Sequence, residues 1–385
     1  MIRVTERAQA IPPFIVMDVL EKAHELEKAG RHIIHLEIGE PDFPTPQVVC
    51  KAAAEAIQRG ETHYTHSLGI IELREAICTH YHKEYRVTIT PDQIVVTSGT
   101  SPALFMIFAV LLEAGDEIIM ADPHYPCYPN FANFLGAVPV FIKGTEEDGF
   151  QLRANAIQSR IRPRTRAILI NSPANPTGNL LSADRMERIA RLGPPVISDE
   201  IYHGLVYGQK EHSILEFTDN AFVLNGFSKR YAMTGWRLGY IIAPRGYIRP
   251  LQKIQQNFFI SAGSTSQWAG VAALSEADAD VEHMKKTYDE RRRYMIERVR
   301  SLGFGLSVEP SGAFYMLANA RHLSESSYDL AFEILEHAGV GVSPGIDFGE
   351  NAEGYLRFSY ANSIDNIKEG LDRIEAFLRQ RKSNT

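Results

Sequence analysis

In the stretch GFSKRYAMTGWRLGY (226–240), Lys229 interrupts an apolar passage, with Ser228 beside it and Arg237 eight positions on. A lysine there is either a solvated charge or a nucleophile, because partial burial and cationic neighbours favour the neutral, reactive amine. Four other stretches carry polar groups of complementary chemistry. Asp199 ends the apolar run PPVIS, so its carboxylate either needs a cation or strong donors, or caps the backbone that follows; Tyr202 lies three residues on. Asn175 opens NPTG, which is a turn by composition and exposes the amide. Tyr125, between His124 and Pro126, is held in a rigid loop that suits either a stacking platform or core filling. SGTSPAL (98–104) places Ser98, Gly99 and Thr100 ahead of a helix expected to be capped by Ser101 and to begin at Pro102. Such a start is either an ordinary helix entry or an anion site made of free N–H groups.

Residues so far apart in sequence meet only if the elements before them lie side by side. Seven short β-branched, apolar runs end in Gly, Ser, Asn, Asp or Pro clusters: 93–98, 117–122, 138–143, 166–172, 194–199, 221–226 and 238–244. This rhythm predicts an α/β fold with a mostly parallel seven-stranded sheet, all strands buried under helices. Ligands of such sheets gather outside the carboxyl ends of the strands, where five of the loops would deliver the residues named above. After about residue 275 the texture changes to a long charged helix (276–302) and shorter strands at 312–317 and 355–361. The N-terminal part, a helix around 14–29 and then HIIHLEIGEPDF, lacks the βα rhythm. The expected division is a large domain of 45–275 and a smaller α+β domain built from 1–44 and 276–385.

Composition narrows the functional classes. With 40 basic and 47 acidic residues among 385, the net charge of −7 argues against nucleic-acid binding through phosphate neutralisation. The basic run RRRYMIERVR (291–300) reads as a solvated helix face. Three cysteines, Cys50, Cys78 and Cys127, have no metal-ligand spacing and fit a reducing compartment, so no metal is expected. The start MIRVTERAQAIPPF is too charged for a signal peptide, no apolar run approaches a membrane span, and the RQRKSNT end has the composition of a short disordered tail. A cytoplasmic protein is expected.

Together, SKRYAMTGWRLG (228–239), NPTG, DEIY and their order resemble the class I and II pyridoxal-phosphate-dependent aminotransferases of fold type I, over nearly the whole chain. The resemblance implies a ping-pong transfer of an amino group from an L-amino acid to a 2-oxo acid. By it, Lys229 forms the Schiff base with pyridoxal 5′-phosphate and shuttles a proton, and Asp199 pairs with the ring nitrogen. Tyr202 and Asn175 bond the phenolic oxygen, and Tyr125 stacks on the ring. Ser98, Gly99, Thr100, Ser228 and Arg237 hold the phosphate. Arg357, in YLRFSYA, which by itself reads as a surface strand residue, clamps the substrate carboxylate, and the Gly39 backbone approaches it. Tyr64, in HYTHSLG, reaches the phosphate in a neighbouring subunit, which implies a homodimer with shared sites.

Two departures bear on the substrate. The region 256–270 lacks the second arginine that some dicarboxylate-specific relatives use, and Ser101 stands where others carry a lysine. Neither device for selecting aspartate is therefore evident, and the substrate stays open; Phe14, Ile15, Phe258 and Phe259 either line an apolar side-chain pocket or fill the core. A carbon–sulfur β-lyase of the same fold is the alternative activity, and a non-catalytic cofactor-binding regulator a remote one.

Overall fold

The computed structural model of the chain describes residues 4–383. Twelve strands occur among them: β1 (Ile34–His35), β2 (Ile94–Thr97), β3 (Glu117–Asp122), β4 (Val138–Lys143), β5 (Thr165–Asn171), β6 (Val196–Asp199), β7 (Ala221–Gly226), β8 (Gly239–Ile242), β9 (Tyr315–Asn319), β10 (Val340–Gly341), β11 (Ser343–Pro344) and β12 (Tyr355–Ser359). Seven form one sheet in the order β2-β8-β7-β6-β5-β3-β4. Each of the seven apolar runs is one of these strands. β8 alone runs against its neighbours β2 and β7, and the other pairings are parallel.

Alternation along the strands divides their side chains between two cores. Val96, Ile168, Ile170 and Val223 face one cluster, while Val95, Ala167, Leu169, Phe222 and Leu224 face the other. The second is roofed by the helix Thr100–Leu111, which buries Ala103, Leu104, Met106, Ile107 and Phe108. Burial on both faces is why the runs read as continuous apolar segments. β4 is the exception and corrects the expectation of seven buried strands. It is the uncovered edge of the sheet, with Val138 47% and Phe141 36% exposed, whereas the other edge, β2, is buried; Pro139 and Lys143 blunt β4 against pairing with another chain.

β11-β12-β9 form a separate antiparallel sheet, and β1 pairs in parallel with β10, so the N-terminal segment is hydrogen-bonded to the C-terminal part of the chain. The N-terminal helix is Ile15–Lys28 and the long charged helix Asp278–Ser301. The basic run on the latter is not a bare solvated face. Arg291 is buried against Asp42 at 2.8 Å, Arg298 pairs with Asp372 and Glu375, and Arg300 with Glu309.

The end of the chain also differs from expectation. The helix Ile364–Ser383 continues through most of RQRKSNT, with Arg379 paired to Glu375 one turn back. Residues 384 and 385 of that tail, and residues 1–3 of the charged N-terminal stretch, lie outside the described residues. No helix among the described residues is long and apolar enough to cross a membrane.

Candidate active site

The loops at the carboxyl ends of β2, β3, β5, β6 and β7 converge, and the reversed strand β8 brings its amino end, with Arg237, to the same edge. They surround a cavity of about 320 Å³ lined by Thr100, Tyr125, Asn175, Asp199, Tyr202, Ser228, Lys229 and Arg237, together with Gly39 and Arg357 from the chain ends. Ser98 and Gly99 stand just outside this lining, at the turn into the Thr100–Leu111 helix. Tyr64 is not part of it and is 83% exposed.

At the helix start, the cap is Gly99 and the first helical residue Thr100, two positions earlier than the expected Ser101 and Pro102. Pro102 is tolerated at the third position because the first N–H groups of a helix have no intrahelical partner. Gly99 has φ +97°, and a Cβ there would lie 2.5 Å from Arg237 Nη2. Gly239 lies between Thr97 and Gly226 in the register, and a Cβ on it would come within 2.8 Å of the Gly99 carbonyl carbon. The backbone is thus packed tightly around Arg237, itself in the left-handed region at φ 53°. Arg237 donates to Thr234 O at 2.9 Å and makes no ion pair among the described residues.

Lys229 is half-buried and donates from Nζ to Gly39 O at 2.7 Å. Burial, with Arg357 and Arg237 nearby, lowers its pKa to about 8 against the opposing charge of Glu40. Asp199 is 6% exposed. Both readings of it hold: Oδ1 accepts from Ile201 N at 3.1 Å, a local cap, and Oδ2 accepts from Tyr128 Oη at 2.7 Å. No cation pairs with it among the described residues, and burial raises its pKa to about 6 despite those two donors.

Arg357 is 2% exposed, which corrects its reading as a surface residue. Its guanidinium lies over the rings of Tyr315 at 4.3 Å and Phe348 at 4.8 Å. It donates to Asn175 Oδ1 (3.0 Å), Glu37 O (2.6 Å) and Ser343 Oγ (3.0 Å), all neutral acceptors, and Nε has no partner among the described residues. Because Asn175 turns its oxygen to Arg357, its amide N–H groups are free to face the cavity. Tyr202 donates to Tyr315 Oη at 3.2 Å, and Tyr125 meets Phe14 and Tyr128 edge-on.

Several lining residues escape a reading of the sequence. Tyr128 had a signal, standing three residues after Tyr125, in the first turn of the helix Cys127–Phe134. Asn171, the last residue of β5, donates to Asp199 O at 3.0 Å and falls inside the apolar run 166–172, four residues before Asn175. Tyr315 is placed by pairing alone: Ser359 faces Tyr315 and Arg357 faces Leu317, so Tyr315 lies diagonal to Arg357 on one face. Of the four candidates for an apolar pocket, Phe14 lines the cavity. Ile15, Phe258 and Phe259 do not; Phe258 is 68% exposed in the turn Gln255–Phe259. Val16, Met17 and Leu20 take their place.

The model of the family described as aminotransferase class I and II matches residues 31–374. The chain belongs to that family. It is 43% identical over 371 residues to the (5-formylfuran-3-yl)methyl phosphate transaminase of Methanocaldococcus jannaschii, covering 95% of this chain and 97% of that one. It is 34% identical to the aspartate aminotransferase of Geobacillus stearothermophilus, covering 98% and 100%. The crystal structure of Thermus thermophilus aspartate aminotransferase with maleate superposes with a TM-score of 0.93 at 36% identity, covering 98% of this chain and 100% of that one. The chain is therefore a transaminase, of a family that depends on pyridoxal 5′-phosphate and works by two half-reactions at one site.

Proposed function

We propose that the cavity at Lys229 is the active site, that it holds pyridoxal 5′-phosphate, and that it transfers the amino group of an L-amino acid with an apolar side chain to a 2-oxo acid. The observation that carries this reading is Asp199, a buried carboxylate with no cationic partner among the described residues, opening on the same cavity as Lys229 and Arg357. A protonated ring nitrogen would supply the missing cation. The fit extends to the other end, where Arg237, with no ion pair among the described residues, packs against Gly99 at the start of the Thr100–Leu111 helix, whose free N–H groups and cationic neighbour suit a phosphate.

Lys229 would hold the cofactor through Nζ, with Asp199 at its ring nitrogen, Tyr202 and Asn175 at its phenolic oxygen and Tyr125 on its face. Ser98, Gly99, Thr100, Ser228 and Arg237 would hold its phosphate. When bound, this cofactor supplies an electron sink for the pair released at the amino acid Cα. Arg357 binds the substrate carboxylate with its planar fork, close to the Gly39 backbone, and so orients the Cα–H bond. Lys229 Nζ, released when the donor's amine takes its place and neutral above about pH 8, would take that proton and return it one position along. Asp199 stays ionised because Tyr128 and Ile201 N donate to it.

The wall formed by Phe14, Val16, Met17 and Leu20 supports apolar donors, and Ser101 in the lining adds no charge for a second carboxylate. The exposure of Tyr64 supports a homodimer in which it reaches the phosphate site of the neighbouring subunit. The pairing of β1 with β10 supports a small domain of 1–44 and 276–385 that closes on the large domain, 45–275, and excludes water. The three unpaired cysteines support a cytoplasmic setting.

Purified protein is tested with single amino acids while its absorbance is followed. Conversion by leucine, phenylalanine or alanine, reversed by 2-oxo acids, is expected. Conversion by aspartate alone would overturn the substrate assignment, and release of pyruvate and ammonia from cysteine conjugates without an acceptor would place this chain's chemistry with the β-lyases.

A further inference from the structure

The helix Ile15–Lys28 begins after Phe14, whose side chain cannot accept a hydrogen bond. Its first N–H groups are satisfied from the far end of the chain. Ile15 N donates to Asp347 Oδ1 at 3.0 Å and Val16 N to Oδ2 at 3.2 Å. A carboxylate shared between two N–H groups also sits at the positive end of the helix dipole.

Asp347 belongs to the turn Gly345–Phe348, which leads toward β12 and Arg357. The next residue, Phe348, lies under the Arg357 guanidinium. Phe348 also packs with Val16 and Phe14 in a small apolar cluster separate from the two main cores. One turn therefore supports the arginine on one side and the first helical turn on the other. That helical turn, with Leu20 behind it, is the apolar wall of the cavity.

We propose that Asp347 is a positioning residue for donor recognition: by capping the Ile15–Lys28 helix it fixes the wall that meets the outer part of the donor side chain. It touches no reacting atom. The inference rests on the assignment of the Lys229 cavity as the active site.

The test uses cofactor-loaded Asp347→Ala and Asp347→Asn, the latter keeping the shape and one acceptor. Hydrogen exchange at amides 17–20, read by mass spectrometry, is expected to quicken by about 5-fold in the alanine variant and by less in the asparagine variant, as loss of a cap predicts. Unchanged exchange would overturn the proposal. Across all donors the parent enzyme converts, KM is expected to rise more for larger side chains, with kcat held within about 2-fold because the lost contact is equal in ground and transition states. A uniform loss across donors, or a fall in kcat alone, would overturn it too. If the alanine variant does not fold, the asparagine variant decides both readouts. Failure of the active-site assignment shows separately, as a Lys229→Ala variant that turns over like the parent while the exchange result still reports on the cap.

Discussion

Tyr128 donates its hydroxyl hydrogen to Asp199 Oδ2 at 2.7 Å, so a carboxylate buried without a cation owes its ionised form partly to a single phenol. Its pKa of about 6 reflects burial opposed by that bond and by Ile201 N. Cofactor affinity of the empty protein should then fall as pH drops below about 6, since Asp199 must shed a proton to bind. In Tyr128→Phe the break should move upward by about 1 pH unit, the worth of one hydrogen bond to a charged group. Titration of cofactor binding between pH 5 and 8 reads this, and an unmoved break would refute the role given to Tyr128.

The same burial has a consequence for stability. A carboxyl whose folded pKa lies above its ordinary value opposes folding once ionised, fully above about pH 6 and less as pH falls toward 4. Asp199→Asn should therefore stabilise the cofactor-free protein at pH 7 by up to about 3 kcal/mol, while weakening cofactor binding. Calorimetry at pH 7 and pH 4.5 checks it; the gain should shrink at the lower pH.

Much of this arrangement was legible in the sequence, for a physical reason. A strand buried on both faces is a continuous apolar run, and the loop after it must be polar to hold a ligand, so Ser98, Tyr125, Asn175, Asp199 and Lys229, one from each of five such loops, were visible as candidates. What was not legible depends on pairing or on distant contact. Tyr315 meets Arg357 only through the register of β9 with β12, and Asp347 meets Ile15 across 332 residues. The exposure of β4 depends on what covers each sheet edge: β2 is also an edge and is fully buried, while β4 is left open. Tyr128 was open to notice, but a second aromatic so close to Tyr125 reads as packing until Asp199 is seen beside it.

Arg357 makes a further point about geometry. Its fork is spread over Asn175, Glu37 and Ser343 and stacked on two rings. Arg357→Lys keeps the charge and loses the plane and one carboxylate bond. Steady-state kinetics should show kcat/KM lower by roughly 10- to 100-fold for every donor. A loss below about 3-fold would mean that the carboxylate is bound elsewhere.

Gly239 tests the phosphate end. An alanine Cβ would press on the backbone of Gly99 and Thr100, which cannot swing aside. Gly239→Ala should cost roughly 1–3 kcal/mol of stability and weaken cofactor binding, both read from melting curves with and without cofactor. Unaltered cofactor affinity would place the phosphate away from this turn.

The most direct measurement of the central claim is to load the protein with pyridoxal 5′-phosphate, reduce it with borohydride, digest it and locate the modified lysine by mass spectrometry. The label is expected on Lys229, with Lys229→Ala unlabelled and inactive. A label on another lysine, or an active Lys229→Ala enzyme, would contradict it.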